Sequence, residues 1–442
     1  MTMFNNILKF TQSKFEYLYN NSLFLQKIDN LIFLSIIAVF LSSTVMSSDV
    51  IGFIALIAVF LTFVKILTKP SEKLDCKNFE LWLLAYFMIV IVSLAGSTLF
   101  HLSLKGFFKT FTYLAFYFSL VQYLKNNKNK IPYILATIGI CVSFEAVVGF
   151  LQNFSHVEEI SGWQDVSGLN PEEVMTRVYG TLKPYNPNLL GGYFVAGIPA
   201  LYGLAGYLFV DKKYKHSIVG LILALFSTIT LFLTGCRGSY IGMMVIFAGM
   251  FAVSAKYLWN NYKQIYLSIV GGVVALATSA LLLVTSLRAR VLSIFAMRQD
   301  SSNSFRFNVY HSSVEMFKDN WLLGIGVGNQ NFREIYGLYM KTGFDALSAY
   351  NIFLEIAVES GIFALIAFVG FLITLVKNAI NFILKSNDAK AVIIVSSAII
   401  SIVAVCIHGM VDTVFFRPQI QFVFWTMVAV ARTLIFTKGN LE

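Results

Sequence analysis

The amino-acid sequence predicts an all-α polytopic membrane protein with about twelve transmembrane helices and a large helical outer loop between spans 9 and 10. Three observations predict this class. Hydrophobic residues make up 57% of the 442 positions and charged residues only 13%, whereas soluble domains carry about 25% charged residues. Many apolar runs reach the length of about 20 residues that crosses a bilayer as a helix. The short alternating segments of a membrane β-barrel are missing from the sequence.

The spans are predicted from apolar runs that are bounded by polar or charged residues. In chain order they cover residues 31–47, 49–66, 79–97, 103–124, 131–152, 188–209, 217–234, 239–257, 263–285, 351–377, 390–410 and 419–436. The 42 Phe and 21 Tyr residues suit lipid-facing surfaces and interfacial belts.

The lysines between the spans predict the orientation of the chain. With a cytoplasmic N-terminus, the loops on the cytoplasmic side contain Lys65, Lys69, Lys73, Lys77, Lys125, Lys128, Lys130, Lys212, Lys213, Lys215, Lys256, Lys263, Lys377, Lys385 and Lys390. This satisfies the positive-inside rule, which the opposite orientation would violate at every turn. Both termini are therefore predicted to be cytoplasmic, with residues 1–30 as a retained cytoplasmic segment and residues 31–436 as a single transmembrane domain. The net charge of +10 is assigned to these loops, and no basic, aromatic-interleaved patch indicates nucleic acid as a partner.

Two long loops are predicted on the outer side, at residues 153–187 and 286–350. The first is acidic and carries Glu158, Glu159, Asp165, Glu172 and Glu173. In the second, Ser304 is expected to cap a helix that runs to about Lys318, and residues 331–340 are expected to form another short helix. Glycines at 324, 326 and 328 should break the chain between them. A loop this long with internal helices is usually functional.

The arginines are distributed unlike the lysines. Eight of the nine arginines fall on the predicted outer side, namely Arg177, Arg237, Arg288, Arg290, Arg298, Arg306, Arg333 and Arg417, and only Arg432 is inside. The positive-inside rule cannot explain cations on the disfavoured side. A guanidinium group is always charged, and its planar fork matches a pair of phosphate oxygens. The outer set therefore predicts a phosphate or pyrophosphate ligand.

The outer arginines fall into two groups. Arg177, Arg288, Arg290 and Arg333 are expected to pair with loop carboxylates or lipid headgroups, because exposed charges are usually solvated. By contrast, Arg237 and Arg417 lie in very short turns between spans, and Arg306 lies near the start of the loop helix, one turn before Tyr310. A charge so close to hydrocarbon needs a partner or a function. Asp412 could orient Arg417 or Arg237.

Ionisable residues within the predicted spans show the same bias toward the outer side. Glu145, Glu355 and Glu359 lie in the outer halves of their helices, together with Lys105 and Lys109, and the inner halves are almost free of charge. This is typical of a reaction centre on one face, whereas a pathway for an anion would need polar groups at both depths. For Glu355 and Glu359, hydrogen bonds between helices and catalysis both remain open.

Histidines and cysteines supply fewer candidates. His311 and His408 are on the outer side and could act as general bases, with His408 favoured. The four cysteines, Cys76, Cys141, Cys236 and Cys406, have no spacing that indicates a metal or a redox pair, and they are interpreted as small apolar fillers. The segment GIGVG at 324–328 lacks a preceding strand and a βαβ unit, so it does not indicate a dinucleotide site.

Six short segments together resemble the O-antigen ligase and O-antigen polymerase superfamily of bacterial membrane proteins. They are NPNLLGGY at 186–193, LTGCRGS at 233–239, DSSNSFR at 300–306, WLLGIGVGN at 321–329, LSAYNIFLE at 347–355 and HGMVDTVFFRPQ at 408–419. The likeness covers about residues 135–430 and is greatest to a branch labelled as bicarbonate transporters. Each segment is short, but their order and their positions in the topology make the combination specific.

The resemblance implies that a glycan moves from a polyprenyl-pyrophosphate donor to a lipid or saccharide acceptor, at the outer face of the bacterial inner membrane, with inversion and without a metal or another cofactor. Besides donor and acceptor, the expected partners are membrane lipids. The predicted pyrophosphate-binding residues are Arg237, Arg306, Arg417 and Lys109; the supporting residues are Asp412, Asn188 and Tyr310; and the catalytic candidates are Tyr350, His408 and Glu355.

One residue departs from the pattern of the ligases. They usually place a His before the Asn that enters the tenth span, where this chain has Tyr350. Tyrosine, with a pKa near 10, is a poor base at neutral pH. Either His408 or Glu355 accepts the proton of the acceptor, or the protein is not a lipopolysaccharide ligase. An anion (bicarbonate) transporter and a non-catalytic partner that binds lipid-linked glycans remain as alternatives.

Overall fold

A computed structural model of the chain describes residues 2–70, 72–155 and 175–436, with side chains from Leu8 onward. The acidic residues predicted for the first outer loop, from Glu158 to Glu173, lie outside the described residues. All regular secondary structure in the described part is helical. The N-terminal half contains α1 (Thr2–Asn21), α2 (Leu23–Gln26), α3 (Ile28–Ser43), α4 (Ser48–Thr68), α5 (Glu80–Gly96), α6 (Phe100–Leu124), α7 (Ile131–Gln152), α8 (Pro187–Val210) and α9 (Tyr214–Leu233).

The C-terminal half contains both long spans and short loop helices. These are α10 (Arg237–Leu258), α11 (Lys263–Leu283), α12 (Thr285–Leu292), α13 (Ser301–Asp319), α14 (Asn329–Tyr336), α15 (Ile352–Lys385), α16 (Ala389–His408) and α17 (Pro418–Phe436). A helix therefore covers each of the twelve predicted spans, with ends that differ by a few residues. The largest difference is at α15, which continues eight residues beyond its predicted end.

The described helices identify a multi-pass membrane protein. Nine of them are long and apolar enough to cross a bilayer, and α3 and α5 are shorter apolar helices. Helix α6 has 25 residues but is not among the nine, and it carries His101, Lys105 and Lys109 in its first half. The most buried spans are α16 and α17, and they form the centre of the bundle with α8. Gly203 on α8 allows close contact with α16, because a Cβ there would lie 2.3 Å from Ser397 Oγ.

The second outer loop folds into a small unit with its own core. Val309 and Met316 of α13 and Phe332 and Tyr336 of α14 are fully buried in it. The predicted end of α13 near Lys318 is confirmed, but the predicted cap at Ser304 is wrong. Asp300 caps the helix instead, because its carboxylate accepts a hydrogen bond from the Asn303 N–H, 2.9 Å away. Helix α14 begins two residues before its predicted start and ends at Tyr336.

Helix α15 is interrupted at Gly361, whose φ of 79° and ψ of 177° are not helical. The glycine-rich segment of the outer loop lies beside this break. The backbone N–H groups of Ile325 and Gly326 donate to the carbonyls of Val358 and Glu359, and the Ile362 N–H donates to Trp321 O. The loop backbone thus satisfies the polar groups that the break exposes. Positive φ at all three loop glycines confirms that they break the chain.

The inner halves of the spans are not as free of charge as the sequence predicted. Lys65 on α4 and Arg432 on α17 are fully buried at the predicted cytoplasmic end. They belong to a set of paired charges that we call the inner ionic network, formed by Asp29, Lys65, Lys69, Glu72, Asp75, Glu80, Lys125 and Arg432. Helix α1 packs against it, because Gln12 Nε2 donates to Ile66 O and Glu72 O.

Candidate functional site

The tight turn between α9 and α10 is the base of the candidate site. Gly235 has a φ of +60°, a conformation that favours glycine and lets the chain turn sharply between the two helices. Arg177 Nε donates to Thr234 O at 2.8 Å, and Arg290 Nε donates to Gly235 O at 2.7 Å. Two guanidinium groups from distant segments therefore converge on this turn.

Arg237 is the first residue of α10 and is 7% exposed. Its Nη1 lies 2.9 Å from Asp300 Oδ1 and donates to the carbonyl and hydroxyl oxygens of Ser293 at 3.2 Å. Asp300 also caps α13. The other terminal nitrogen, Nη2, is buried without a hydrogen-bond partner among the described residues.

Arg306 lies on the second turn of α13, the helix that Asp300 caps. Its Nη2 is 3.7 Å from Asp412 Oδ2, and its Nη1 donates to Ser302 Oγ at 2.8 Å. The guanidinium carbon lies 5.9 Å from the centre of the Tyr350 ring, within the range of a cation–π contact. Arg306 Nε is buried and makes no hydrogen bond within the described part of the chain.

Asp412 connects the helices that meet at this end of the bundle. It is 3% exposed and accepts hydrogen bonds from Asn188 Nδ2 at 3.0 Å and from its neighbour Thr413 N at 2.7 Å. Asn188 Oδ1 in turn accepts a hydrogen bond from Arg177 Nη2 at 2.5 Å. A chain of polar contacts therefore runs from Arg177 through Asn188 and Asp412 to Arg306.

His408 ends α16 and is buried beside the start of α10. Its Nε2 lies 3.6 Å from Cys236 Sγ. Gly238 allows this approach, because a Cβ there would lie 2.4 Å from His408 Cδ2. Burial alone would raise the pKa of the Cys236 thiol, but the neighbouring His408 lowers that pKa below its ordinary value.

Tyr350 precedes the N-cap of α15 and has a φ of 51°, which costs a non-glycine residue about 1–3 kcal/mol. Its carbonyl accepts a hydrogen bond from the Tyr310 hydroxyl, which also reaches Met410 O, both at 3.3 Å. Burial and the nearby Asp412 raise the pKa of Tyr350. Tyr350 is therefore even less ionised at neutral pH than a free tyrosine, and its ring lies beside the Arg306 guanidinium. Arg417 is half-buried and acts electrostatically on Tyr350.

The predicted carboxylate Glu355 and the predicted cation Lys109 lie apart from the arginines described above. Glu355 is 2% exposed, and its carboxylate bonds Ser348 and the backbone of Ala349, which leaves Oε2 without a partner in the described structure. Lys109 is exposed on α6, and its electrostatic contact is with Glu359. Glu359 itself accepts the Gly328 N–H at 2.8 Å. The structure therefore does not join Lys109 to the arginines.

Three residues of this region were missed or misjudged from the sequence. Arg177 and Arg290 were expected to be solvated or to pair with loop carboxylates or lipid headgroups. Their hydrogen bonds to the 234–235 turn were not predicted, and together with Arg237 and Arg306 they form what we call the arginine cluster. Cys236 was interpreted as a filler, yet it contacts His408. The expectation for Arg333 is confirmed, because this exposed residue pairs with Asp345 at 2.5 Å.

A protein-family model matches part of the chain. Residues 222–369, about a third of the chain, match the model described as O-Antigen ligase. The match runs from α9 into α15 and includes Cys236, Arg237, Arg306 and Tyr350, whereas Asn188, His408 and Asp412 lie outside it. The family resemblance is therefore confirmed for this segment. No curated protein sequence matches the chain.

Proposed function

We propose that this multi-pass membrane protein, with its O-antigen ligase domain at residues 222–369, is a glycan transferase. It moves a saccharide from a polyprenyl-pyrophosphate donor to a lipid or saccharide acceptor at the outer face of the membrane. One observation carries the proposal. Arg237 Nη2 and Arg306 Nε are buried guanidinium nitrogens that have no hydrogen-bond partner in the described structure. Burying such a donor unpaired costs about 1–3 kcal/mol, and the oxygens of a pyrophosphate would satisfy both.

The balance of charge around these two nitrogens supports an anionic ligand. Arg237 pairs with Asp300, and Arg306 pairs with Asp412 across 3.7 Å. Arg290 bonds a carbonyl, and Arg417 makes no side-chain hydrogen bond or ion pair to the described residues. Among the described residues, these four guanidinium groups thus share two carboxylates, and the excess of positive charge favours an anionic ligand such as a pyrophosphate.

The proposed reaction is a substitution at the anomeric carbon of the donor sugar. The acceptor hydroxyl attacks this carbon, and the bond between the carbon and the phosphate oxygen breaks, so that the bonding electrons remain on the pyrophosphate. Arginines held in fixed positions stabilise the charge that develops on this leaving group. For the hydroxyl proton we propose His408, because its ring is next to the arginine cluster, whereas Tyr350 supports Arg306 and Glu355 bonds Ser348.

The topology supports a reaction on the outer side of a bacterial inner membrane. Helices cover all twelve predicted spans, and the lysine-rich turns between them are consistent with twelve spans and two cytoplasmic termini. In that orientation, the 234–235 turn, the start of α13 and the turn before α17 all lie on the outer side. A polyprenyl-pyrophosphate donor carries its saccharide at this interface, so the arginines of the site would meet its headgroup.

Anion transport is the alternative that the sequence left open, and the break in α15 is the feature that would favour it. Transporters often bind ions at the free backbone groups of interrupted helices. At Gly361, however, the glycine-rich loop takes up these groups: Ile325 and Gly326 donate to the carbonyls before the break, and Trp321 O accepts from Ile362 after it. Within the described structure, this pairing takes up the backbone groups beside the break and therefore favours glycan transfer.

The proposal is tested by exchanging Arg306 for lysine. Arg306→Lys keeps the positive charge but loses the two-pronged hydrogen bonding that fixes a pair of phosphate oxygens. We expect transfer to fall by about 10²-fold, the typical cost of removing one preorganised donor. Incorporation of lipid-linked glycan is measured in a deletion strain complemented with each variant, and membrane levels are checked by immunoblot.

Arg333→Lys is the matched control, because Arg333 lies in the same outer loop but is 53% exposed and paired with Asp345. Its transfer should stay within a few-fold of the wild type. Near-normal transfer by Arg306→Lys, or an equal loss from both variants at equal membrane levels, would refute the assignment of Arg306 to the pyrophosphate site.

A further inference from the structure

Three buried side chains of different chemistry meet next to the arginine cluster. One ligand atom each from Cys236, His408 and Asp412 lies within 4.8 Å of the other two. Their residues are only 2–3% exposed. They come from the start of α10, the end of α16 and the turn that follows α16. The proposed glycan transfer uses His408 and Asp412, but it requires neither a thiol nor a metal at this point, so it does not explain why the Cys236 thiol lies beside them.

The spacing of the sulfur and the imidazole nitrogen matches the ligand shell of zinc. Zinc binds thiolate at about 2.3 Å and imidazole at about 2.0–2.1 Å in tetrahedral geometry, which separates the two ligand atoms by about 3.5 Å. The observed distance from Cys236 Sγ to His408 Nε2 is 3.6 Å. An ion could therefore bind both atoms with little movement of the backbone.

The type of donor atom selects the metal. Thiolate and imidazole favour zinc over magnesium or calcium, which prefer oxygen ligands. A thiolate and the Asp412 carboxylate together balance the charge of a divalent ion beside Arg306, and binding releases the thiol proton to solvent. Three protein ligands leave the fourth position of a tetrahedral site open.

Neighbouring groups already hold these ligands in place. Asn188 Nδ2 and Thr413 N donate to the two oxygens of Asp412. The His408 ring is packed against Gly238, where a Cβ would lie 2.4 Å from the ring. Such supporting contacts orient the ligands in metal sites and raise their affinity.

We propose that Cys236, His408 and Asp412 form a binding site for zinc. Zinc bound there contacts the carboxylate that pairs with Arg306. Bound zinc is therefore expected to inhibit glycan transfer. This consequence rests on the function proposed above. The binding itself does not depend on that function and is tested without an activity assay.

The test uses the full chain, purified in detergent and freed of metal with a chelator. The protein is incubated with zinc chloride and desalted, and its zinc content is measured by mass spectrometry. Wild type should retain about one zinc ion per chain. Cys236→Ser and His408→Gln should retain at least tenfold less. Cys406→Ser is the matched control: Cys406 is buried two residues before His408 but is not part of the trio, so this variant should bind like the wild type.

Cobalt chloride provides a second readout, because a bound thiolate gives a charge-transfer band in the near ultraviolet. The band should appear with wild type and Cys406→Ser and be absent with Cys236→Ser. Size-exclusion profiles identify variants that have lost their fold. Three results would each overturn the proposal: wild type that retains no zinc, Cys236→Ser that is folded and retains as much as wild type, or wild-type cobalt protein without the thiolate band.

Discussion

The two ends of the helix bundle both bury cations, but they neutralise them differently. In the inner ionic network, each fully buried cation contacts two carboxylates. Arg432 bonds Asp75 at 2.6 Å and Glu80 at 3.3 Å. Lys65 lies 2.7 Å from Asp29 and 3.9 Å from Glu72. These charges are matched by ion pairs within the described protein, as a structural role requires. Every side-chain nitrogen of Arg432 also donates a hydrogen bond, whereas Lys65 Nζ lies beside its carboxylates without one.

At the outer end the cations have fewer partners. Arg237 and Arg306 each reach one carboxylate, and Arg290 bonds a backbone carbonyl. Both Arg237 and Arg306 also keep a buried nitrogen without a partner in the described structure. Removing a charge from water is costly unless it is paired, and this supports the proposal that the outer end receives a charge that arrives with a ligand. The two ends therefore differ as expected if arginine has a structural role at the inner end and the proposed binding role at the outer end.

The largest loss of stability is expected from replacing Arg432. Arg432→Met leaves Asp75 and Glu80 without their buried partner and should destabilise the protein by about 3–5 kcal/mol. We expect a large fall in the apparent melting temperature of the detergent-purified protein and lower membrane levels. Arg333→Met is the control, because it removes a cation from an exposed pair, which is worth at most about 1 kcal/mol. A melting temperature that is the same in both variants would show that the inner ionic network is not structural.

Inorganic pyrophosphate should stabilise the protein by binding to the arginines at the outer end of the bundle. A ligand at about 100 times its dissociation constant stabilises a protein by about 2.7 kcal/mol. Pyrophosphate should therefore raise the melting temperature of the wild type and of Arg333→Gln, but not that of Arg306→Gln or Arg237→Gln. The shift should shrink as salt is added, because salt screens charge pairs. An equal shift in all four proteins would mean that the anion binds elsewhere.

The positions of the helices could be predicted from the sequence because each span depends on a local apolar run. The break in α15 could not be predicted, because hydropathy does not report the positive φ that Gly361 adopts within such a run. The inner ionic network was also missed. Arg432 bonds Asp75, which lies 357 positions away in the chain, and no local sequence pattern indicates that pair.

The sequence predicted those residues of the candidate site whose position between two spans or in the outer loop is itself unusual for a charge. Short turns identified Arg237 and Arg417, and the loop helix identified Arg306. Arg177 and Arg290 were expected to be solvated or paired in the loops. Their contacts with the 234–235 turn could not be predicted, because these contacts arise only when distant segments pack together. The same holds for Cys236 and His408, which are 172 residues apart in the chain.

The smallest expected change in stability, and the sharpest contrast with Arg432, is at Arg290. Burial lowers the pKa of Arg290 to about 10, with help from the nearby Arg177 and Arg237. A base whose pKa is lower in the folded protein than in the unfolded chain destabilises the fold while it is charged, so at neutral pH this charge costs stability.

Arg290→Met removes that cost and loses the hydrogen bond to Gly235 O. We therefore expect the melting temperature without ligand to stay unchanged or rise, whereas glycan transfer falls by about tenfold, because one of the cations that face the pyrophosphate is gone. Thermal unfolding and the complementation assay, run beside Arg432→Met, measure both effects. A loss of stability as large as that of Arg432→Met would mean that the arginine cluster, like the inner ionic network, exists to hold the fold together.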